Sequence, residues 1–250
     1  MNKHLAALAV LLAAAMPVAA QFAPTAQNAR QGALGGCFVP ERPTATTVET
    51  GYRRGYMMHG MATRSLQASM PLGAHAMTAV RYTHFGDTDY HEQQLGIGAA
   101  IVATKWLTVA AGARYSHIGT TDGHYHAQQR LDAGAAMLAA IGTAADIWIA
   151  AGSRRWSTTR PVEARIGLAY RPSAAWTSVF ELTSDDRTRL RYGMEYTHNS
   201  HIAVRTGMAT NPLILTFGMG YADRHYGIDL ATEVHPVLGV TPQLTLRLCL

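Results

Sequence analysis

From about residue 48 onward the chain alternates, residue by residue, between two kinds of side chain, and charge shares a face with glycine. Between Thr188 and His198, Leu190, Tyr192, Met194 and Tyr196 fall on one side, and Arg189, Arg191, Gly193 and Glu195 on the other. The next run sets Ile202, Val204, Thr206 and Met208 against His201, Ala203, Arg205 and Gly207. The last sets Leu244, Leu246, Leu248 and Leu250 against Gln243, Thr245, Arg247 and Cys249. A period of two is the signature of a β-strand. A strand face turned to water rarely gathers glycine, which weakens strands. A crowded interior does, because glycine leaves room for long Arg and Glu side chains from opposite walls. The pattern therefore reads as a barrel in lipid, apolar outside and polar inside. The competing arrangement is a soluble β-sandwich with the leucine face as its core.

Fourteen candidate strands follow, near 51–57, 63–71, 76–84, 92–102, 106–116, 128–138, 144–152, 162–170, 175–183, 187–197, 201–208, 213–221, 225–232 and 241–250. Each has about ten residues, the length that crosses a bilayer at a tilt. The first two are the weakest, so twelve strands stays an option. The even-numbered joins are tight, as at 71–74, 104–105, 171–174, 199–200 and 223–224. Most odd-numbered joins are longer, as at 117–127, 153–161 and 233–240. Short periplasmic turns and longer external loops suit an outer-membrane barrel, antiparallel throughout, with both termini on the periplasmic side.

Residues 1–20 read as a removable export signal, with Lys3 and His4, an apolar run from Leu5 to Met16, and small residues Val18-Ala19-Ala20 before a cut after Ala20. The run is too short to span a membrane as a helix. Only 15% of residues are charged, and of 21 basic residues the only lysines are Lys3 and Lys105. Arginine suits buried, bidentate pairing with carboxylates. The basic residues are dispersed, and an exported chain has little access to nucleic acid, so a nucleic-acid partner is excluded.

The inward charges are assigned as Glu163, Arg165, Glu181, Arg189, Arg191, Glu195, Arg205, Asp229, Glu233 and Arg247. Mixed signs at this density favour a salt-bridged interior over an open selective channel, since an unpaired buried charge costs several kcal/mol. Asp122, His124 and His126 share one join, but a pair of histidines is too few to define a metal site, and no metal or other cofactor is expected. Serine, histidine and aspartate occur in no recognisable nucleophile motif, so no enzymatic activity is expected. Cys37 and Cys249 are candidates for a disulfide in an oxidising compartment, with two free thiols the alternative. Trp106, Trp156, Trp176, Tyr90, Tyr170 and Tyr196 fall near strand ends, where interfacial girdles belong.

Residues 21–47 do not alternate. Thr25 to Gly35 has the makings of a short helix ended by Gly35-Gly36, in either a periplasmic tail or a plug folded into the lumen. The stretch Ala29-Arg30-Gln31-Gly32-Ala33-Leu34-Gly35-Gly36-Cys37-Phe38-Val39 resembles the opening of FadL-type outer-membrane proteins, including the PorV and PorQ relatives tied to type IX secretion. Arg191-Tyr192-Gly193-Met194-Glu195-Tyr196, Arg205-Thr206-Gly207, Phe217-Gly218-Met219-Gly220 and residues 235–241 resemble that family's closing strands, in order. The resemblance implies a 14-stranded barrel with an N-terminal hatch (residues 21–47 as plug, 48–250 as barrel). It also implies passage of hydrophobic small molecules, or alternatively a non-transporting part in a secretion system or the envelope. The expected partners are outer-membrane lipid and either a hydrophobic small molecule or secretion-system proteins. The chain departs from the family in lacking the Asn-Pro-Ala that usually follows the opening, in its shorter length, and in ending on Leu250 where an aromatic is usual.

Overall fold

The computed structural model describes residues 28–40, 45–121, 127–153, 162–184 and 187–250. Fourteen strands close into one antiparallel barrel in which sequence neighbours pair and the first strand meets the last. They are β1 (Thr47–Arg54), β2 (Ala62–Leu72), β3 (Ala76–Gly86), β4 (Tyr90–Val102), β5 (Leu107–Thr120), β6 (Gln128–Ile141), β7 (Ala145–Ser153), β8 (Val162–Ser173), β9 (Trp176–Ser184), β10 (Thr188–His198), β11 (Ile202–Ala209), β12 (Ile214–Ala222), β13 (Tyr226–His235) and β14 (Gly239–Cys249). Closure leaves no unpaired strand edge, which lipid would not tolerate. Twelve strands and the sandwich are both excluded.

The sidedness matches the alternation. Arg191, Arg205, Glu181, Glu195 and Asp229 are buried, whereas Leu190, Ile202, Val204, Phe217 and Leu246 are exposed. A water-soluble monomer rarely exposes apolar patches larger than a few hundred Å². Here every strand turns exposed apolar side chains outward, so hydrocarbon is the solvent that this surface fits. No helix among the described residues is long and apolar enough to cross a membrane. Residues 1–27, which include the expected export signal, lie outside the described residues, as does Trp156. At the end of the barrel carrying the even-numbered joins stand Trp106, Tyr170, Trp176 and Tyr196 of the expected aromatics, joined by Tyr221 and Tyr226, whereas Tyr90 lies at the opposite end; Trp176 meets Tyr196 at 4.9 Å between ring centroids.

Two expectations about the ends of strands need correction. The first strand starts at Thr47, four residues earlier than expected, and a 3-10 turn at Gly55–Met57 takes up the residues beyond Arg54. Two of the odd-numbered joins are shorter than expected. β13 and β14 extend to leave only 236–238 between them, because His235 pairs with Gly239 and its Nδ1 accepts the N–H groups of Val237 and Leu238. β5 likewise continues to Thr120. The even-numbered turns hold as expected. Asn199 and Ser200 both take positive φ (48° and 61°), the backbone that a two-residue hairpin requires.

Residues 28–40 pack against the inward face. Helix α1 (Ala29–Ala33) starts at Asn28, whose side chain accepts the Gln31 N–H, an N-cap. It is shorter than the 25–35 span expected, and residues 25–27 lie outside the described residues. The chain then turns through Gly35 (φ +70°) and Gly36 (φ +77°). A Cβ on Gly35 would lie 2.5 Å from the Met208 carbonyl oxygen, so only glycine fits.

Candidate functional site

The lumen is built from three features: charges, glycines and the inner segment. The charges interlock in groups. Glu195 on β10 receives Arg30 of α1 (Nη2 to Oε1 2.6 Å, Nε to Oε2 2.8 Å) and Arg205 of β11 (2.5 Å). Arg205 also donates to Asp229 on β13 at 2.5 Å. Arg247 continues the chain, 3.7 Å from Asp229 and 3.6 Å from Glu49. In a second group, Glu181 takes Arg191 (3.0 Å), the Thr183 hydroxyl (3.2 Å) and the backbone N–H of Phe38 (3.0 Å), with Arg165 at 3.8 Å. Arg165 donates to Glu163 at 2.6 Å. Glu233 takes Arg53 at 2.8 Å and the Gln243 amide at 2.5 Å.

The arrangement thus gathers Glu163, Arg165, Glu181, Arg191, Glu195, Arg205, Asp229, Glu233 and Arg247 into ion pairs along the inner wall. Arg189 differs: its Nε donates to the Asn211 carbonyl at the rim (3.2 Å). Sequence reasoning left out Arg30, Arg53 and a third cluster in which Arg114 (3.2 Å) and Arg130 (2.5 Å) hold Asp132. The third cluster was within reach, since Arg114, Arg130 and Asp132 all fall on the glycine-bearing face.

The inward glycines have more than one task. Gly220 makes space for Asp229 and Arg205, as expected of a wall that accommodates long charged side chains. Gly193, Gly207 and Gly218 instead accommodate the inner segment, with Leu34 against Gly193, Gly35 against Gly207 and Ala33 against Gly218. Thr216 fixes this join by accepting the Gly35 N–H (3.0 Å) and donating to the Ala33 carbonyl (2.8 Å). Thr245 accepts the Ala29 N–H (2.9 Å), and Arg191 donates to the Gly36 carbonyl (3.0 Å). Leu34 and Cys37 are fully buried, and Phe38 meets Trp148 edge-on at 5.7 Å.

The two cysteines are not brought together. Cys37 lies against the Val179 carbonyl of β9 (3.9 Å), while Cys249 is on β14, five strands round the barrel, and both thiols are free. A disulfide needs its Cα atoms within about 7 Å, which this seating of the inner segment does not give. Burial, and then the Glu181 carboxylate, push the Cys37 thiol up from its ordinary pKa. Asp122, His124 and His126 lie outside the described residues. Among the described residues no group of three or more His, Cys, Asp or Glu is arranged to hold a metal ion.

A cavity of about 360 Å³ remains beside the inner segment, bounded by β1 to β5, with Arg81, Glu92 and Arg114 among its walls, and reaching Arg191, Ala209, Thr216, Glu233 and Gln243 of β10 to β14. Asn28, Ala29, Gly35 and Gly36 form one side of it, and Ser65, Thr83, Phe85, Gln94 and Gly96 face them. A shallower hollow of about 420 Å³ lies on the outer surface over β6 to β9, where Ala135, Ala151 and Ala164 stand among Met137, Ile149 and Ile166.

No protein-family profile and no curated protein sequence matches the chain. Solved structures do. A Pseudomonas aeruginosa FadL homologue superposes with a TM-score of 0.68 at 9% identity, over 95% of this chain and all of its own. The Pseudomonas putida toluene transporter TodX gives 0.60 at 11% identity, over 82% of this chain and 88% of that one. The Ralstonia pickettii toluene transporter TbuX gives 0.59 at 10%, over 88% and 90%. At these identities the likeness is one of architecture, so the fold of this chain is that of the FadL-type outer-membrane β-barrels.

Proposed function

We propose that the protein sits in the outer membrane and admits small hydrophobic molecules to its lumen, with residues 28–40 as the hatch. The observation that carries this reading is the cavity of about 360 Å³ bounded on one side by Asn28, Ala29, Gly35 and Gly36. A molecule in that space touches the inner segment. The hatch is held by polar contacts, such as Arg30 to Glu195 and Thr216 to Ala33, and by burial of Leu34, Cys37 and Val39 against Trp148 and Val179. The structural neighbours described as toluene transporters support the same cargo class. No observation favours the secretion-component alternative.

The test is uptake of a monoaromatic hydrocarbon by liposomes holding either the full chain or a chain lacking residues 21–40. Uptake above protein-free liposomes that changes with the deletion supports the reading. Equal, background-level uptake by both ends it.

A further inference from the structure

The outer surface changes character abruptly between two register rows at the end of β1 to β6 that carries the odd-numbered joins. One row is Leu66, Tyr82, Leu95, Tyr115 and Leu131, each directly opposite the next and all exposed. Two residues nearer the joins, the same face reads Arg64, His84, Gln93, His117 and Gln129, again directly opposed. His91 stands one step further out, between Gly86 and Gly119. The three imidazoles form a diagonal stack, with centroids 6.2 Å apart from His84 to His91 and 6.2 Å from His91 to His117. Gly119 leaves the space they use, since a Cβ there would meet Nε2 of both His91 and His117.

The row beyond the last apolar row lies where hydrocarbon gives way to headgroups. Its five side chains all donate hydrogen bonds, and none is acidic. Nδ1 of His84 is buried with no protein partner. The carboxylates nearby are turned elsewhere. Asp87 takes the N–H groups of Asp89 and Tyr90, and His59 also faces it. Asp89 accepts the Thr121 hydroxyl, and Glu92 points inward and accepts the Tyr90 hydroxyl. Arg64 brings a positive charge to a set of donors with no carboxylate among them, and an anion fits that set.

We propose that Arg64, His84, His91 and His117 form a docking row for the phosphate of an anionic lipid headgroup in the surrounding leaflet, with Gln93 and Gln129 as further donors. Arg64 supplies the charge and the imidazoles supply further N–H donors. The row needs no cargo in the lumen and no movement of the inner segment.

The experiment titrates phosphatidylglycerol, or a diacylglycerol of the same chains without phosphate, into the detergent-solubilised full chain, and counts bound lipid by native mass spectrometry. Wild-type protein is expected to prefer phosphatidylglycerol. Replacing His84, His91 and His117 together by Ala should remove most of the preference. Replacing all three by Arg should restore it, by about fivefold for each charge introduced, which a merely folded but inert surface would not do. Three results would overturn the proposal: equal retention by wild type and the Ala variant, equal binding of the two lipids, or zinc capture by the imidazoles with no phosphatidylglycerol preference.

Discussion

The two halves of the barrel use the same alternating pattern to opposite ends. Around β9 to β14 the inward face is a mesh of Arg191, Glu181, Glu195, Arg205 and Asp229, and its glycines lie under the backbone of residues 33–35. Around β1 to β4 the inward face carries Ser65, Thr83, Gln94 and Gly96, and a cavity stands in front of them. The inner segment explains the difference. Helix α1 contacts β11 to β14 and leaves the opposite wall uncovered. The filled half holds the inner segment and the other half keeps space.

If that division is real, mutations of equal size should have unequal costs. Glu181→Ala is expected to be the most damaging, because it leaves the buried Arg191 short of its carboxylate and frees the Phe38 N–H. Breaking a buried ion pair from one side costs about 3–5 kcal/mol. Urea unfolding in detergent, followed by the gel shift between folded and unfolded barrel, measures it. A cost below about 1 kcal/mol, as for exposed pairs, would mean that the mesh is not what holds this half together.

Gly207→Ala tests the glycine track. The new methyl would come within 2.5 Å of the Leu34 carbonyl carbon and would also meet the Gly35 nitrogen, both backbone atoms that cannot swing aside. Overpacking of this kind costs about 1–3 kcal/mol. The wall can avoid it by releasing the segment, so residues 28–40 should become cleavable by protease while the barrel stays folded. Continued protection at unchanged stability would show that the close contact does not constrain docking.

The sequence displayed the wall far better than its contents. Strand β11 reads Ile202, Val204, Thr206 and Met208 outward and Ala203, Arg205, Gly207 and Ala209 inward, because a period of two admits only one sidedness once lipid is outside. The ion pairs of Arg205 followed, since register places it opposite Glu195. The contacts of Arg30 did not follow. Its partner is 165 residues away, and no periodicity relates an inner segment to the strand it lies on. The same gap misplaced Cys37: its position near β9 depends on the path taken after Gly36, which local pattern does not encode. The length of the β13–β14 turn was missed because His235 serves as both strand residue and cap.

Thiol labelling reads the docked segment without altering it. Cys37 is fully buried, and its raised pKa keeps it a thiol, the unreactive form, while Cys249 is only partly buried. The folded chain should take one maleimide, at Cys249, and two after unfolding without reductant. Combined with Gly207→Ala, the folded chain should take two. No label in either state without reductant would mean that the thiols are bridged and the inner segment seated differently.

The smallest effect is expected in the open half, and it bears most directly on function. Gln94 lines the cavity from β4, and Gly36 bounds the same space from the inner segment. Gln94→Leu removes no charge and adds no bulk to a close backbone contact, so stability should move by no more than about 0.5 kcal/mol. The cavity, though, becomes more apolar at the point facing the inner segment. If small hydrophobic molecules pass through this space, their uptake by liposomes should change while the urea midpoint does not. Uptake that tracks the Glu181→Ala and Gly207→Ala stabilities, and ignores Gln94→Leu, would place the passage in the filled half and reverse the roles of the two walls.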